Sequence, residues 1–211
     1  MQVIRLEGLT PYAEALALQE QLVAEVADGI REATLLFVEH PPTITLGRRA
    51  GPDAVVDPSG VDVYAVSRGG EATWHAPGQR VVYPIVPLAA SRRDLRAALA
   101  AIEDAVIDAL AALGVSGHRD PRNTGVWLTG VDGVARKVCS VGIACRRWVL
   151  WHGLALNHDV DLSGFGRIHP CGFDAAVMTS LAAEGHAVVR TTLDRALEAA
   201  LIARLGGLML D

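Results

Sequence analysis

Of the nineteen basic residues in this chain of 211, only one, Lys137, is a lysine. A GC-rich codon bias accounts for the scarcity of lysine, but it leaves open why one remains. Guanidinium stays charged inside proteins, so arginine cannot replace a group that must gain and lose a proton. Lys137 is therefore a candidate functional amine, carried on an apparent strand, Arg136-Lys137-Val138-Cys139-Ser140-Val141-Gly142. The cysteines are the other candidate reactive groups, because a thiolate is nucleophilic. Cys171 lies between Pro170 and Gly172, the setting of a loop and not of an apolar strand face. Cys139 and Cys145 alternate with Lys137, Val141 and Ile143, which reads as core packing, where free cysteine acts as a small hydrophobe. Lys137 and Cys139 are also two apart on a strand and hence on one face, so a Lys137–Cys139 pair stays open.

The densest polar stretch is Arg68-Gly69-Gly70-Glu71-Ala72-Thr73-Trp74-His75-Ala76-Pro77-Gly78-Gln79. Glycine allows close backbone approach to a ligand. A turn needs the Gly and Pro, but it has no use for Arg, Thr, Trp, His and Gln together, so the stretch reads as a binding segment. His152, His158, His169 and Cys171 are possible metal ligands, yet their spacing matches no zinc pattern and Cys-x-x-Cys is missing, so no metal is expected. His40, His118 and His186 acquire no role from sequence. Neither Gly-x-x-x-x-Gly-Lys-Ser/Thr nor Gly-x-Gly-x-x-Gly between strand and helix is present, and no nucleotide cofactor is expected.

These groups need a scaffold. Tyr12, Ala15, Leu16, Gln19, Leu22, Val23 and Val26 give a helical stripe that starts at Thr10-Pro11. Strands are predicted over 33–39, 43–46, 61–67 and 81–86. Leu95 to Leu113 forms a long amphipathic helix ended by Gly114. Strands follow at 126–128, 134–145 and 148–156, the first two joined by a two-residue Asp132-Gly133 turn, and a last helix covers 192–205. Strands in hairpin sequence with few helices between them predict α+β, with a mixed or antiparallel sheet and flanking helices, over one domain spanning 1–211.

Composition excludes several classes. Hydrophobic residues make up 51 %, which is globular and not disordered. A net charge of −5 argues against nucleic acid as partner. Local arginine pairs, Arg48-Arg49, Arg92-Arg93 and Arg146-Arg147, leave acidic partners open. No secretory signal and no apolar run long enough for a membrane span is seen. Three cysteines make a sparse, odd set, so reduced thiols and a cytoplasmic setting are expected.

From about Tyr12 to Leu181 the chain resembles the lipoyl(octanoyl) transferase family. The resemblance rests on Glu39-His40-Pro41-Pro42, Leu46-Gly47-Arg48, the Arg68 to Gln79 segment, Gly125-Val126-Trp127, Lys137-Val138-Cys139-Ser140, His152-Gly153-Leu154-Ala155-Leu156-Asn157, Asp161-Leu162-Ser163 and Pro170-Cys171-Gly172. It implies the α+β catalytic fold shared with biotin and lipoate protein ligases. It places the nucleophile on Cys171 and its companion amine on Lys137. Substrate-lining positions fall on Arg68, Gly69, Gly70, Glu71, Ala72, Thr73, Trp74 and His75, on Ser140, Val141 and Gly142, and on Gly153, Leu154 and Ala155. Ala76 stands where glycine is usual, and His158 where an apolar residue is usual.

The implied reaction moves an octanoyl (or lipoyl) group from octanoyl-acyl-carrier protein to a lysine of a lipoyl domain, in 2-oxoacid dehydrogenase E2 subunits or glycine cleavage H protein. Exchange onto a thiol is near neutral in free energy and transfer to an amine is downhill, so no ATP is required. A free lysine has a pKa of about 10.4 and is mostly protonated near neutrality, so the second step needs a base. Lys137 is the preferred one, with His75 as the alternative. The rival readings are an ATP-dependent lipoate or biotin ligase, a Cys-dependent acyl hydrolase, and a non-catalytic acyl-binding module.

Overall fold

Alternation along three adjacent strands decides the layering. The computed structural model describes residues 1–121, 123–169 and 175–210. Strand β1 covers Gln2–Arg5, helix α1 Tyr12–Ala27, β2 Thr34–Val38, β3 Thr43–Leu46, β4 Asp62–Ala65, β5 Ala72–His75 and β6 Gln79–Pro87. Helix α2 covers Leu95–Ala112, β7 Gly117–Asp120, β8 Asn123–Thr129, β9 Ala135–Arg146, β10 Val149–Asn157 and α3 Arg190–Gly206. On β2, Leu35 and Phe37 face one side of the sheet while Leu36 and Val38 face the other. The period-2 side-chain geometry of a strand requires this division. On β6 the split is Val82 and Val86 against Val81, Tyr83 and Ile85.

The main sheet has the order β1-β2-β6-β10-β9-β8-β7, with β1 and β2 parallel and every other pair antiparallel. Helix α1 covers one face through Ala15, Leu22, Val23 and Val26. Helices α2 and α3 cover the other, through Ile102, Val106 and Leu110 and through Leu193, Leu197, Leu201 and Leu205. Burial on both faces explains why β2, β6 and β10 read as nearly unbroken apolar runs. Asp94 starts α2, its carboxylate accepting from the backbone N–H of Arg96 and Ala97.

A smaller sheet, β4-β3-β5, stands beside the first, with β3 and β4 parallel and β3 and β5 antiparallel. Its core joins Ile44, Ala72 and Trp74 to Val160, Phe165 and Ile168. The architecture is α+β with a mixed sheet and flanking helices, as the sequence predicts. Among the described residues, no helix is long and apolar enough to cross a membrane.

Two hairpins differ from expectation. The β8–β9 connection runs from Gly130 to Val134, closed by Gly130 N–H donating to Val134 C=O (3.0 Å), and is longer than a two-residue Asp132-Gly133 turn. The tight two-residue turn is Arg147-Trp148, between β9 and β10, where both residues have positive φ (54° and 62°). Type I′ geometry requires positive φ at both centres and is usually supplied by Asn or Gly. Here Arg147 ties the turn to the end of α1 through Asp28 Oδ1 (2.8 Å) and Ala27 C=O (3.3 Å).

Candidate active site

A β-bulge sets the direction of Lys137. Opposite β8, the pairing passes from Val126–Cys139 to Trp127–Lys137, leaving Val138 without a partner. An unpaired extra residue breaks alternation locally. Val138 and Cys139, consecutive in sequence, therefore both enter the core under α2 and α3, while Lys137 and Ser140 line a cavity. Two-residue spacing does not put Lys137 and Cys139 on one face here. Cys139 is fully buried, and burial pushes its thiol up to about 12 despite the nearby Lys137 charge. A thiol in that state supplies no thiolate near neutral pH.

The cavity, about 430 Å³, lies between the two sheets' facing loops and the β9–β10 pair. That size is within the usual range for small-molecule sites. Lys137 is 2 % exposed, and its ammonium donates to Asn123 Oδ1 at 2.6 Å. Gly125 has φ +132°, and a Cβ there would stand 2.6 Å from Lys137 Cε and 3.3 Å from Nζ. The lysine stem thus occupies the space that a side chain at 125 would fill. Gly125 N–H donates to Glu103 Oε1 (2.6 Å), and Arg119 holds the other oxygen of that buried carboxylate (2.8 Å). Met178, in the segment that follows Cys171, bridges Lys137, and Thr179 N–H donates to Lys137 C=O at 2.9 Å. Cys171 itself lies outside the described residues.

The Arg68 segment forms the opposite wall. The Arg68 guanidinium donates to the carbonyls of Gly69 (3.0 Å), Glu71 (2.9 Å) and Thr45 (2.9 Å) and to Thr45 Oγ1 (2.8 Å). It thereby fixes the glycine loop. Gly69 N–H donates to Ile143 C=O (2.9 Å), which ties the loop to β9. Gly47 passes so close to the Gly69 and Gly70 carbonyls that no side chain fits there. Arg68, Gly69, Gly70, Glu71, Ala72, Thr73 and His75 line the cavity, as do Ser140, Val141, Gly142, Gly153, Leu154 and Ala155. Trp74 does not. It alternates away from His75 into the small sheet's core, with Gly164 flat against its ring.

Sequence reasoning assigns Tyr12, Tyr83, Asn123 and His40 no role in the site. Tyr12, His40, His75 and Tyr83 form one ring cluster at the cavity floor, with Tyr12 and His75 stacked at 5.9 Å. His40 Nδ1 donates to Thr10 C=O (2.8 Å), so its Nε2 accepts from Tyr83 OH (2.8 Å). His75 is bonded at both nitrogens, to Thr45 Oγ1 (3.3 Å) and Gln79 Oε1 (2.7 Å). Burial drives the His75 pKa well below its ordinary value and that of His40 to about 4, so both are neutral at pH 7. His152 is also pushed down, to about 3, by burial and then by the Arg68 charge. Its φ of +56° and the φ of +154° at Gly153 fall where β6–β10 pairing is interrupted, beside Pro84. That break sets His152 beside Ser67 Oγ (3.1 Å) on the cavity wall. His158 instead meets Val188 C=O (2.6 Å).

A family model for the lipoyl protein ligase A/B catalytic domain matches residues 11–202. The chain belongs to that family. An octanoyltransferase from Syntrophotalea carbinolica is 50 % identical over 82 % of this chain and 80 % of its own length. One from Geobacter sulfurreducens is 44 % identical over 97 % and 84 %. Among solved structures, a T. acidophilum protein with bound lipoic acid superimposes with TM-score 0.79 at 15 % identity, covering 97 % of this chain and 86 % of that one. Lipoate-protein ligase A bound with ATP gives TM-score 0.69 at 15 % identity, covering 98 % and 86 %. At such identities these structures establish the fold alone. The fold is that of the family's catalytic domain, and the Lys137 cavity lies within its matched span.

Proposed function

We propose that residues 1–211 form one catalytic domain that transfers an octanoyl group from acyl-carrier protein to a lysine of a lipoyl domain, through a thioester on Cys171. The acceptors would be the lipoyl domains of 2-oxoacid dehydrogenase E2 subunits and glycine cleavage H protein, and the setting the cytoplasm, where thiols stay reduced. The observation that carries this reading is the buried Lys137 amine, held 2.6 Å from Asn123 in a cavity whose far wall is the Arg68 to His75 segment.

In the first step the Cys171 thiolate attacks the donor's thioester carbonyl. The tetrahedral adduct collapses, the carrier's thiolate leaves and takes a proton, and octanoyl-Cys171 remains. An ammonium at Lys137 favours the attacking thiolate. In the second step the acceptor lysine's amine attacks the new thioester. Lys137, having delivered its proton in the first step, takes the proton that this amine must lose, and Cys171 departs as thiolate. His75 suits this task less, because both of its ring nitrogens are engaged by Thr45 and Gln79. Apolar side chains, among them Val141, Ile143 and Leu154, are available to the alkyl chain. Burying seven carbons contributes up to roughly 6 kcal/mol, at about 0.8 per methylene.

The test is intact-protein mass after mixing with octanoyl-acyl-carrier protein. A hydroxylamine-labile octanoyl adduct is expected on the wild type and on Cys139→Ser, absent from Cys171→Ser and slow to form on Lys137→Arg. An adduct that survives Cys171→Ser and vanishes in Cys139→Ser would move the nucleophile onto β9 and overturn the assignment.

A further inference from the structure

The mouth of the Lys137 cavity carries two exposed cations, Arg48 and Arg49, in the turn that follows β3. The turn is laced to the glycine loop. Arg48 N–H donates to Arg68 C=O and Arg49 N–H to Gly70 C=O, both at 3.0 Å. Gly47 lies against the same loop, where a Cβ would stand 2.7 Å from the Arg68 guanidinium. The backbone that carries the two charges is therefore fixed to the cavity rim. Neither guanidinium has an ion-pair partner among the described residues.

The other arginine pairs differ. Arg93 lies over the Trp148 ring at 4.8 Å, and Arg147 pairs with Asp28 at 2.8 Å. None of Arg92, Arg93, Arg146 and Arg147 lines the cavity. The chain as a whole carries −5, so an acidic partner is repelled by the average surface and must find a local cationic feature at the place of entry.

Resting on the proposed octanoyl transfer, we propose that Arg48 and Arg49 dock the donor carrier protein at the phosphodiester that roots its pantetheine arm. The arm carries the thioester inward past the glycine loop while the phosphate stays at the mouth. Guanidinium suits this task, because it meets phosphate oxygens with paired, charge-assisted N–H donors. The surface is specific to the donor half-reaction, since an acceptor lysine has no phosphate.

The experiment compares octanoyl-carrier protein with octanoyl-pantetheine, which lacks both the phosphate and the protein. Acyl-enzyme formation is followed by intact mass at low salt. The variants are Arg48→Ala/Arg49→Ala, Arg48→Lys/Arg49→Lys, and Arg92→Ala/Arg146→Ala as the remote charge control. In the first variant the ratio of kcat/KM for carrier over pantetheine is expected to fall at least about tenfold, through KM, an effect that salt erases. The lysine pair recovers most of the ratio, and the remote control leaves it unchanged. A ratio within about twofold of wild type, or an equal fall in the remote control, overturns the docking assignment. Absence of acyl-enzyme from either donor on the wild type overturns the octanoyl-transfer reading itself and this assignment with it. Octanoyl-phosphopantetheine separates the phosphate from the protein surface: with the phosphate as anchor it loses rate in the alanine pair, and if only the carrier does so the phosphodiester assignment falls.

Discussion

Arg136 and Lys137 are adjacent cations with opposite environments. Arg136 reaches over the surface to Asp132, four residues back, while Lys137 is buried against Gly125 and bonded to Asn123. Arginine cannot take over the proton-transfer role at 137, because its proton is never given up. Lys137→Arg is expected to slow transfer from acyl-Cys171 to the acceptor by about 10²–10⁴, the usual worth of a positioned base. Single-turnover transfer from pre-formed acyl-enzyme checks this, and an unchanged rate would remove Lys137 from the proton path. Gly125→Ala introduces a methyl that meets the Cys139 carbonyl oxygen and Lys137 Cε, at a φ that strains any L side chain. It is expected to lower kcat at least about tenfold and stability by about 1–3 kcal/mol, whereas Gly133→Ala, with open space around it, should cost stability only. Lys137 was legible in the sequence because it is unique there. Asn123 was not, and Gly125 stood out only as part of the Gly125-Val126-Trp127 motif, without a role, since Asn-Thr-Gly is an ordinary turn composition and only the bulge in β9 turns the amine toward them.

Elements meet at the site through one run of buried amides. Gln79, opening β6, accepts from His75, and its Nε2 donates to Trp74 C=O (3.0 Å) and Asn157 Oδ1 (2.9 Å). Asn157, closing β10, donates to Thr179 C=O (2.8 Å), and Thr179 N–H donates to Lys137 C=O. The run therefore ties the binding segment, the central sheet and the segment after Cys171 to the strand that carries the lysine. Asn157→Ala leaves Gln79 Nε2 and the Thr179 carbonyl short of a partner in the interior, which costs about 1–3 kcal/mol per orphaned group. The loss is read as a lower midpoint in urea with an unchanged m-value, and no shift would mean that water replaces the amide freely. The long elements were legible from their periods: the three helices and β2, β6, β9 and β10 fall close to where apolar spacing predicts them. Three short strands were not. β1, β5 and β7 have four residues each, and β5 is hidden in the Arg68 to Gln79 segment that polarity marks as a loop. The Arg147-Trp148 turn carries no Asn or Gly, so its positive φ values come from the tertiary tie to Asp28 and have no local signal.

At the scale of the whole molecule, the interior beneath the cavity holds three histidines that stay neutral. His40, His75 and His152 are buried; the Arg68 guanidinium faces His75 and His152, the Glu39 carboxylate acts on His40 against the larger effect of burial, and Tyr12 and Tyr83 are held protonated alongside, Tyr12 at a pKa of about 12. Each histidine has a folded pKa below its unfolded value of about 6.5. Between those two values the unfolded chain binds protons that the native chain does not, so the unfolding free energy rises with pH there. Stability is therefore complete above about pH 7 and declines as pH falls below 6.5, with a limiting slope of about 1.4 kcal/mol per pH unit for each histidine. The surface carboxylates held low by arginine, such as Asp132 at about 2, act only in stronger acid and leave the window between pH 5 and 6.5 to the imidazoles. Urea unfolding at pH 7.5, 6.5, 5.5 and 5.0 should give equal values at the top of the range and a steepening fall below it. His40→Gln should make that fall shallower, because one of the three protonation sites is gone, even though the variant starts lower for want of the Tyr83 bond. A flat profile from pH 7.5 to 5.0 would mean that these rings protonate in place, with the cavity floor admitting charge and water.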